Sequence, residues 1–406
     1  MTTGVEEAFR EEAPRILGAV ARYTGDLLLA EDAMQEAFTR AVALAASGHA
    51  PDNPAAWITT VARRIAVDTI RKDQTVARAL PAVAAELRRT AEHPMPDTGS
   101  VAFSGDERLE LILLVCHPEV SEESRVALAL RFVCGVSTKD IAAVFLVQEP
   151  TMAARITRAK RRIHESNVRF AIDEEGAVDA RLPDALTTLY LLYTVGHATP
   201  EARVRADALT LARDAHRLRP DDPETAGLLA LLLLTEARQS SRLSPSGDFV
   251  TLDEADRSGW DRRMIAEGER LATEALAGRG RFGLQSGIAG LHAIAASWTD
   301  TDWTAIARLY DRLVEVWPSP VARLGRTVAH GYSPDVGPEA ALRELAGIPE
   351  AFEGALASQG FAVCGDLARL ADDLPAAVEA YRRALALDPN ERVRRFLARR
   401  LTELGG

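Results

Sequence analysis

Thr151, Arg155, Arg158 and Arg162 are spaced so that, at ~100° per residue, they share one stripe of a helix. Met152, Ile156, Ala159 and Ile163 recur on a neighbouring stripe about a quarter-turn round. One face can therefore pack while the adjacent one offers guanidinium forks, which suit phosphate oxygens and base edges. The competing reading is an ordinary surface helix whose arginines are solvated.

The elements that must hold this stripe are readable next to it. Glu149-Pro150-Thr151 makes a good helix start, because proline is tolerated in the first turn and presets φ. Just upstream, Ser137 can cap a shorter helix with Asp140 in its first turn, near the positive end of the dipole. Ile141, Ala142 and Phe145 give that helix an apolar side. Two helices joined by a tight turn, the second one basic, form the layout of a helix-turn-helix whose second helix enters a DNA major groove.

The whole chain bounds the reading. Its 406 residues suffice for two or three domains, and 47% apolar with 26% charged residues is ordinary for a globular protein. Aromatics are only 5%, beside much Ala and Leu, which favours helices over sheets. No run of about 18 apolar residues occurs, so no membrane span is predicted. Met1 to Glu12 is polar and acidic, unlike a signal peptide, and a cytoplasmic location is expected. Cys116, Cys134 and Cys364 lack paired spacing and read as reduced, mostly buried thiols with no zinc site.

A net charge of −11 argues at first against nucleic acid. Its distribution softens the objection: residues 1–170 carry 21 Lys+Arg against 23 Asp+Glu, the remainder 27 against 36. Residues 149–163 hold five basic residues and one acidic. Such a protein is expected to bind DNA weakly alone and to need a partner that supplies affinity.

Four blocks follow: a helical block at 5–75; a linker at 76–105, ending in the turn-rich His93–Ser100; a second helical unit at 106–168; and a longer helical region at 180–406. In the first block Ala30, Ala33, Met34, Ala37, Phe38, Ala41 and Val42 form an apolar face, with Glu31, Asp32, Gln35 and Glu36 beside it. Pro51-Asp52-Asn53-Pro54 then breaks the chain and starts a helix through Lys72. That helix is expected to turn Trp57, Ile58, Val61 and Ile65 inward and Arg63, Arg64, Arg71 and Lys72 outward.

In this order the segments resemble a known family. Ala30–Phe38 looks like the polymerase-binding helix of bacterial sigma factors. Pro54–Ile58 with Val61–Arg71 is similar to their promoter-melting and −10-reading segment, and Ser137–Ile163 resembles their −35-reading domain. Order and spacing are those of the extracytoplasmic-function group, and of its branch with a helical extension of tetratricopeptide type. The segments Gln148–Ile156, Tyr190–His197, Asp302-Trp303 and Ser319-Pro320-Val321 carry that closer likeness. Arg64 is a departure, since many relatives have Asn there.

The resemblance implies an all-α protein: two small helical domains, the second a helix-turn-helix, joined by a linker and followed by a tetratricopeptide-like array. It implies core RNA polymerase and promoter DNA as partners. Asp32, Gln35 and Glu36 would face the basic coiled coil of the polymerase's largest subunit. Arg63, Arg64, Asp68, Arg71 and Lys72 lie where the family holds the melted −10 strand. Glu149, Thr151, Arg155, Arg158 and Arg162 would contact the −35 duplex.

The C-terminal region supports an array internally. Leu211–Glu224 echoes Tyr381–Glu391, with a weaker copy at Leu309–Pro318, each giving helix, proline turn, helix. Such arrays bind peptides or proteins, so a protein or peptide partner is expected there. A helical bundle whose helices end in proline is the plainer alternative.

Neither a G-x-x-x-x-G-K-[ST] loop nor an H-E-x-x-H helix occurs. Gly278–Gly283 resembles a phosphate loop but lacks a preceding strand, so it reads as an inter-helix turn. Cys116-His117 lies in an apolar run and reads as core. No enzymatic activity, metal or cofactor is predicted. Two other classes compete with the sigma reading: a tetratricopeptide-type adaptor, and a duplex-binding regulator that dimerises on a palindrome. Neither explains the acidic helix at 30–38.

Overall fold

The computed structural model describes residues 3–49, 51–79, 107–165, 176–198, 202–388 and 390–405. The expected linker lies almost wholly outside these, and so does His93–Ser100. Every described element is helical apart from one isolated antiparallel bridge, Leu243 with Phe249. The chain divides into two compact units, Met1–Asp214 and Ala215–Gly406.

The first unit opens with three mutually packed helices, α1 (Thr3–Thr24), α2 (Leu27–Ala46) and α3 (Pro54–Ala79). Asp26 caps α2 by accepting from the amides of Leu28 and Leu29 at 2.8 and 3.1 Å. The expected apolar face of α2 is buried except Val42, which is 44% exposed, at the edge of the stripe. In α3 the fully buried positions are Ile58, Ala62 and Ala66, whereas Trp57, Val61 and Ile65 are only half-buried. The helix is thus rotated so that Ile58 and its alanines face the three-helix core. It also runs past the expected end at Lys72, to Ala79.

Next come α4 (Glu107–Val115), α5 (Glu122–Leu128) with a π-helical turn at Ala129–Val133, α6 (Thr138–Val144) and α7 (Glu149–Glu165). They are followed by α8 (Ala177–Ala198) and α9 (Ala202–Leu218). Helix α1 packs on α4 and on the π turn, and α8 packs on α4, α5 and α6. At the α1–α4 contact a Cβ on Gly18 would run into the Leu111 side chain, which would have to shift to admit a larger residue. Cys116 is fully buried, and burial pushes its thiol pKa up, as suits a core residue.

The second unit holds α10 (Pro223–Glu236), α11 (Arg262–Leu276), α12 (Arg281–Ile294), α13 (Trp303–Val316), α14 (Pro320–Tyr332) and α15 (Pro338–Ala346). It ends with α16 (Ala357–Leu370), α17 (Leu374–Leu387) and α18 (Glu391–Glu403). From α10 onward each helix packs on the next. The three echoed motifs all fall at helix–turn–helix junctions, whose second helices are capped by Asp222, Ser319 and Asn390. Each cap side chain accepts from an amide of the first turn, at 2.8 to 3.1 Å.

Gly278–Gly283 leads into the N-terminus of α12, where an anion is favoured. The protein's own carboxylate fills that place: Glu224 accepts from the amides of Phe282 and Gly283 at 3.0 and 3.1 Å. The resemblance to a phosphate loop therefore has a structural cause, and the inter-helix turn stands.

Candidate nucleic-acid interface

The helix-turn-helix is built by local signals. Ser137 accepts from the Asp140 amide at 3.1 Å and caps α6. The tight turn passes through Leu146, whose φ of 55° is left-handed, and the Leu146 and Val147 amides close on the carbonyls of Ala143 and Ala142. Ile141 and Ala142 pack α6 inward, and Met152, Ile156, Ala159 and Ile163 do the same for α7. Seating that stripe fixes which way the arginine stripe points.

Glu149, Thr151, Arg158 and Arg162 are exposed along α7. Arg155 differs. Its guanidinium lies 2.9 Å from Glu123 of α5 and stacks over Phe145, 5.8 Å from the ring centroid. Glu123 is 67% exposed, so water competes for this pair and holds it loosely.

Asp32, Gln35 and Glu36 are all exposed on α2. Gln35 donates to Glu31 at 3.2 Å, and Arg40 donates to Glu36 at 2.9 Å. Arg63, Arg64, Asp68, Arg71 and Lys72 are exposed on α3, with Arg63 over the Tyr23 ring at 5.7 Å. Each of the three residue sets thus lies on one helix and reaches solvent, save the half-buried Arg155.

A pairing that the sequence reading did not foresee ties these helices together. Lys160 of α7 places its Nζ 2.5 Å from a carboxylate oxygen of Glu31 in α2 and sits over Phe132 of the π turn at 4.7 Å. Its side chain is 27% exposed and that of Glu31 13%. The basic helix is thereby fastened to the acidic helix within one unit. Pairing between residues so far apart in sequence leaves no local pattern to find.

A second fastening joins α8 to the helix-turn-helix. Arg125 of α5 pairs with Asp184 of α8 at 2.7 Å, with side chains only 16% and 8% exposed. Burial raises the Asp184 pKa, and the Arg125 charge opposes that rise without cancelling it. Arg108 and Asp207 pair at 3.1 Å and tie α4 to α9.

Comparison with known proteins agrees with this architecture. Sigma-70 region 2 matches residues 8–76 and sigma-70 region 4 matches residues 110–163. A family of unknown function (DUF6596) matches residues 181–276. An uncharacterized protein of Rhizobium meliloti (strain 1021) is 34% identical over 99% of this chain and 96% of its own length. A probable ECF RNA polymerase sigma factor, SigI of Mycobacterium tuberculosis, is 27% identical over 42% of this chain and 57% of its own. No solved structure matches. The chain belongs to the extracytoplasmic-function group of the sigma-70 family, with a helical C-terminal extension. No described helix is long and apolar enough to cross a membrane.

Proposed function

We propose that this sigma factor joins core RNA polymerase through the exposed Asp32, Gln35 and Glu36 of α2 and reads promoters through α3 and α7. The observation that carries the reading is the exposed basic side of α7, offered by a helix-turn-helix within the region 4 match. In this reading Arg63, Arg64, Arg71 and Lys72 hold the backbone of the melted −10 strand, with Asp68 among them. Glu149, Thr151, Arg155, Arg158 and Arg162 contact the −35 duplex. Arg155 leaves the loosely held Glu123 to do so. The family role needs no enzymatic chemistry, metal or cofactor.

Geometry adds a condition. Elements ~25 base pairs apart at ~3.4 Å each are separated by ~85 Å along the duplex. A compact unit of 214 residues is only about 45 Å across. With α1 packed on α4 and Lys160 on Glu31, the two readers cannot reach both elements together. The connecting stretch 80–106 can span at most ~90 Å, so opening of this unit on polymerase restores the needed reach. Free chain is then the closed form, which also accounts for an acidic protein that needs polymerase before it holds DNA. The extension, anchored through α8 on the region 4 helices, modulates that opening.

Co-elution of the chain with core polymerase tests the first step. Retention by Asp32→Ala/Gln35→Ala/Glu36→Ala protein at wild-type strength would refute the assignment of α2.

A further inference from the structure

Between α10 and α11 the second unit makes a long excursion whose base and tip are held in different ways. The base is closed by directed hydrogen bonds, most of them part-buried. The Trp260 indole, 3% exposed, donates to Ser241 at 2.7 Å, and Ser240 donates to the Gly259 carbonyl at 2.9 Å. Buried Arg257 donates to the carbonyls of His292 and Ala295, at 2.9 and 2.7 Å, and so caps the C-terminal end of α12. The tip folds on itself, with the Val250 amide donating to the Arg242 carbonyl at 3.0 Å and a bridge from Leu243 to Phe249, and it meets α18 through ion pairs. Arg395 of α18 lies 2.6 Å from Asp248, Arg399 lies 2.7 Å from Glu254, and Arg400 lies 3.3 and 3.5 Å from Asp253 and Glu254.

Five arginines fall between Arg392 and Arg400 of α18, and three of them hold this acidic segment. Ion pairs that reach solvent contribute little each and weaken with salt, so the contact of the tip with α18 is exchangeable while the base is fixed. The segment itself shows what the surface accepts: carboxylates at 248, 253 and 254, with Phe249, Val250 and Leu252 between them half-buried.

We propose that the arginine stripe of α18 is a docking surface for an acidic peptide segment of a partner protein. The 248–254 loop is its resident occupant, and partner binding and loop release are one exchange. A peptide is favoured over nucleic acid because the stripe already pairs with carboxylates. The residues after 170 also carry 36 acidic against 27 basic groups, a field that repels a long polyanion. The proposal concerns the extension alone and is tested without polymerase, so its failure leaves the sigma reading standing.

The test uses the full chain and a fluorescent peptide of residues 246–256 added in trans, read by anisotropy. A tethered occupant competes at roughly millimolar effective concentration. The Asp248→Asn/Asp253→Asn/Glu254→Gln chain should therefore bind the peptide about tenfold or more tighter than wild type. Binding should weaken with salt and be lost when Arg395→Ala and Arg399→Ala are added. Equal binding by wild type and the loop variant overturns the proposal, as does binding that survives arginine removal. Preference for a DNA duplex of equal charge over the peptide also overturns it. Hydrogen exchange on wild-type protein guards against misfolding of the variants. Saturating peptide should speed exchange at 246–256, and unchanged protection there counts against displacement.

Discussion

Lys160 of the basic helix α7 and Glu31 of the acidic helix α2 form a 2.5 Å ion pair that locks two separately matched regions together. Both side chains are largely screened from water, so the pair is stronger than a surface bridge, at about 1–2 kcal/mol. Lys160→Ala should favour the open unit and tighten binding to core polymerase by roughly 5–30-fold. Titration of labelled chain with polymerase reads this directly. Affinity unchanged by Lys160→Ala and by Glu31→Gln would remove the pair from any gating role.

Arg155 is expected to exchange Glu123 for a phosphate or base edge. Arg155→Ala should weaken −35-dependent initiation by about 1–3 kcal/mol, roughly 5- to 150-fold in promoter strength. Glu123→Ala frees the guanidinium and should leave initiation equal or stronger. Run-off yield from promoters with and without a −35 element separates the two effects. Loss of activity in Glu123→Ala would show that the pair orients Arg155 instead of restraining it.

The Arg125–Asp184 pair predicts an asymmetry. Asp184→Ala leaves a mostly buried guanidinium without its partner and should destabilise the first unit by about 2–4 kcal/mol. Replacing both residues by apolar ones of similar volume should be nearly neutral. Denaturant titration of the two variants measures the difference. Equal losses would mean that packing, not charge, fixes α8 on the helix-turn-helix.

Two histidines give the second unit opposite pH responses. His330 places Nδ1 2.6 Å from Glu344 and Nε2 3.2 Å from Asp311, and the Glu344 hydrogen bond raises its pKa. Its contribution is fully present below ~6.5 and is lost as pH rises through the raised value. His292 is lowered to about 3 by burial, with help from Arg238 and Arg257. Its neutral form is the one that fits, so stability is present above ~6.5 and lost as pH falls toward 3. His330→Gln should flatten the alkaline side of a melting-temperature profile and His292→Gln the acid side. Retention of both slopes in the variants would assign them to other groups.

The arginine stripe of α7 and its buried partner stripe were legible because both follow one helical period over many residues. Ser137 is legible for a different reason: a cap needs only a short polar side chain within three residues of the amide it accepts from. The inward face of α3 is hard to read because Ala62 and Ala66 carry little hydrophobic signal, yet both are fully buried. Val42 continues the apolar period of α2 but falls beyond the contact. Lys160–Glu31, Arg125–Asp184 and the loop on α18 join distant segments, and each partner alone looks like an ordinary surface charge. The Arg155 contact with Glu123 was hidden likewise, since only the fold brings α5 beside α7.

Run-off transcription with purified chain and core polymerase tests the central claim most directly. The account expects promoter-specific initiation that needs both partners, falls with Arg155→Ala, and has no counterpart in tight duplex binding by the chain alone. Polymerase that gains no promoter-specific initiation, beside a chain that binds duplex DNA tightly unaided, would contradict it.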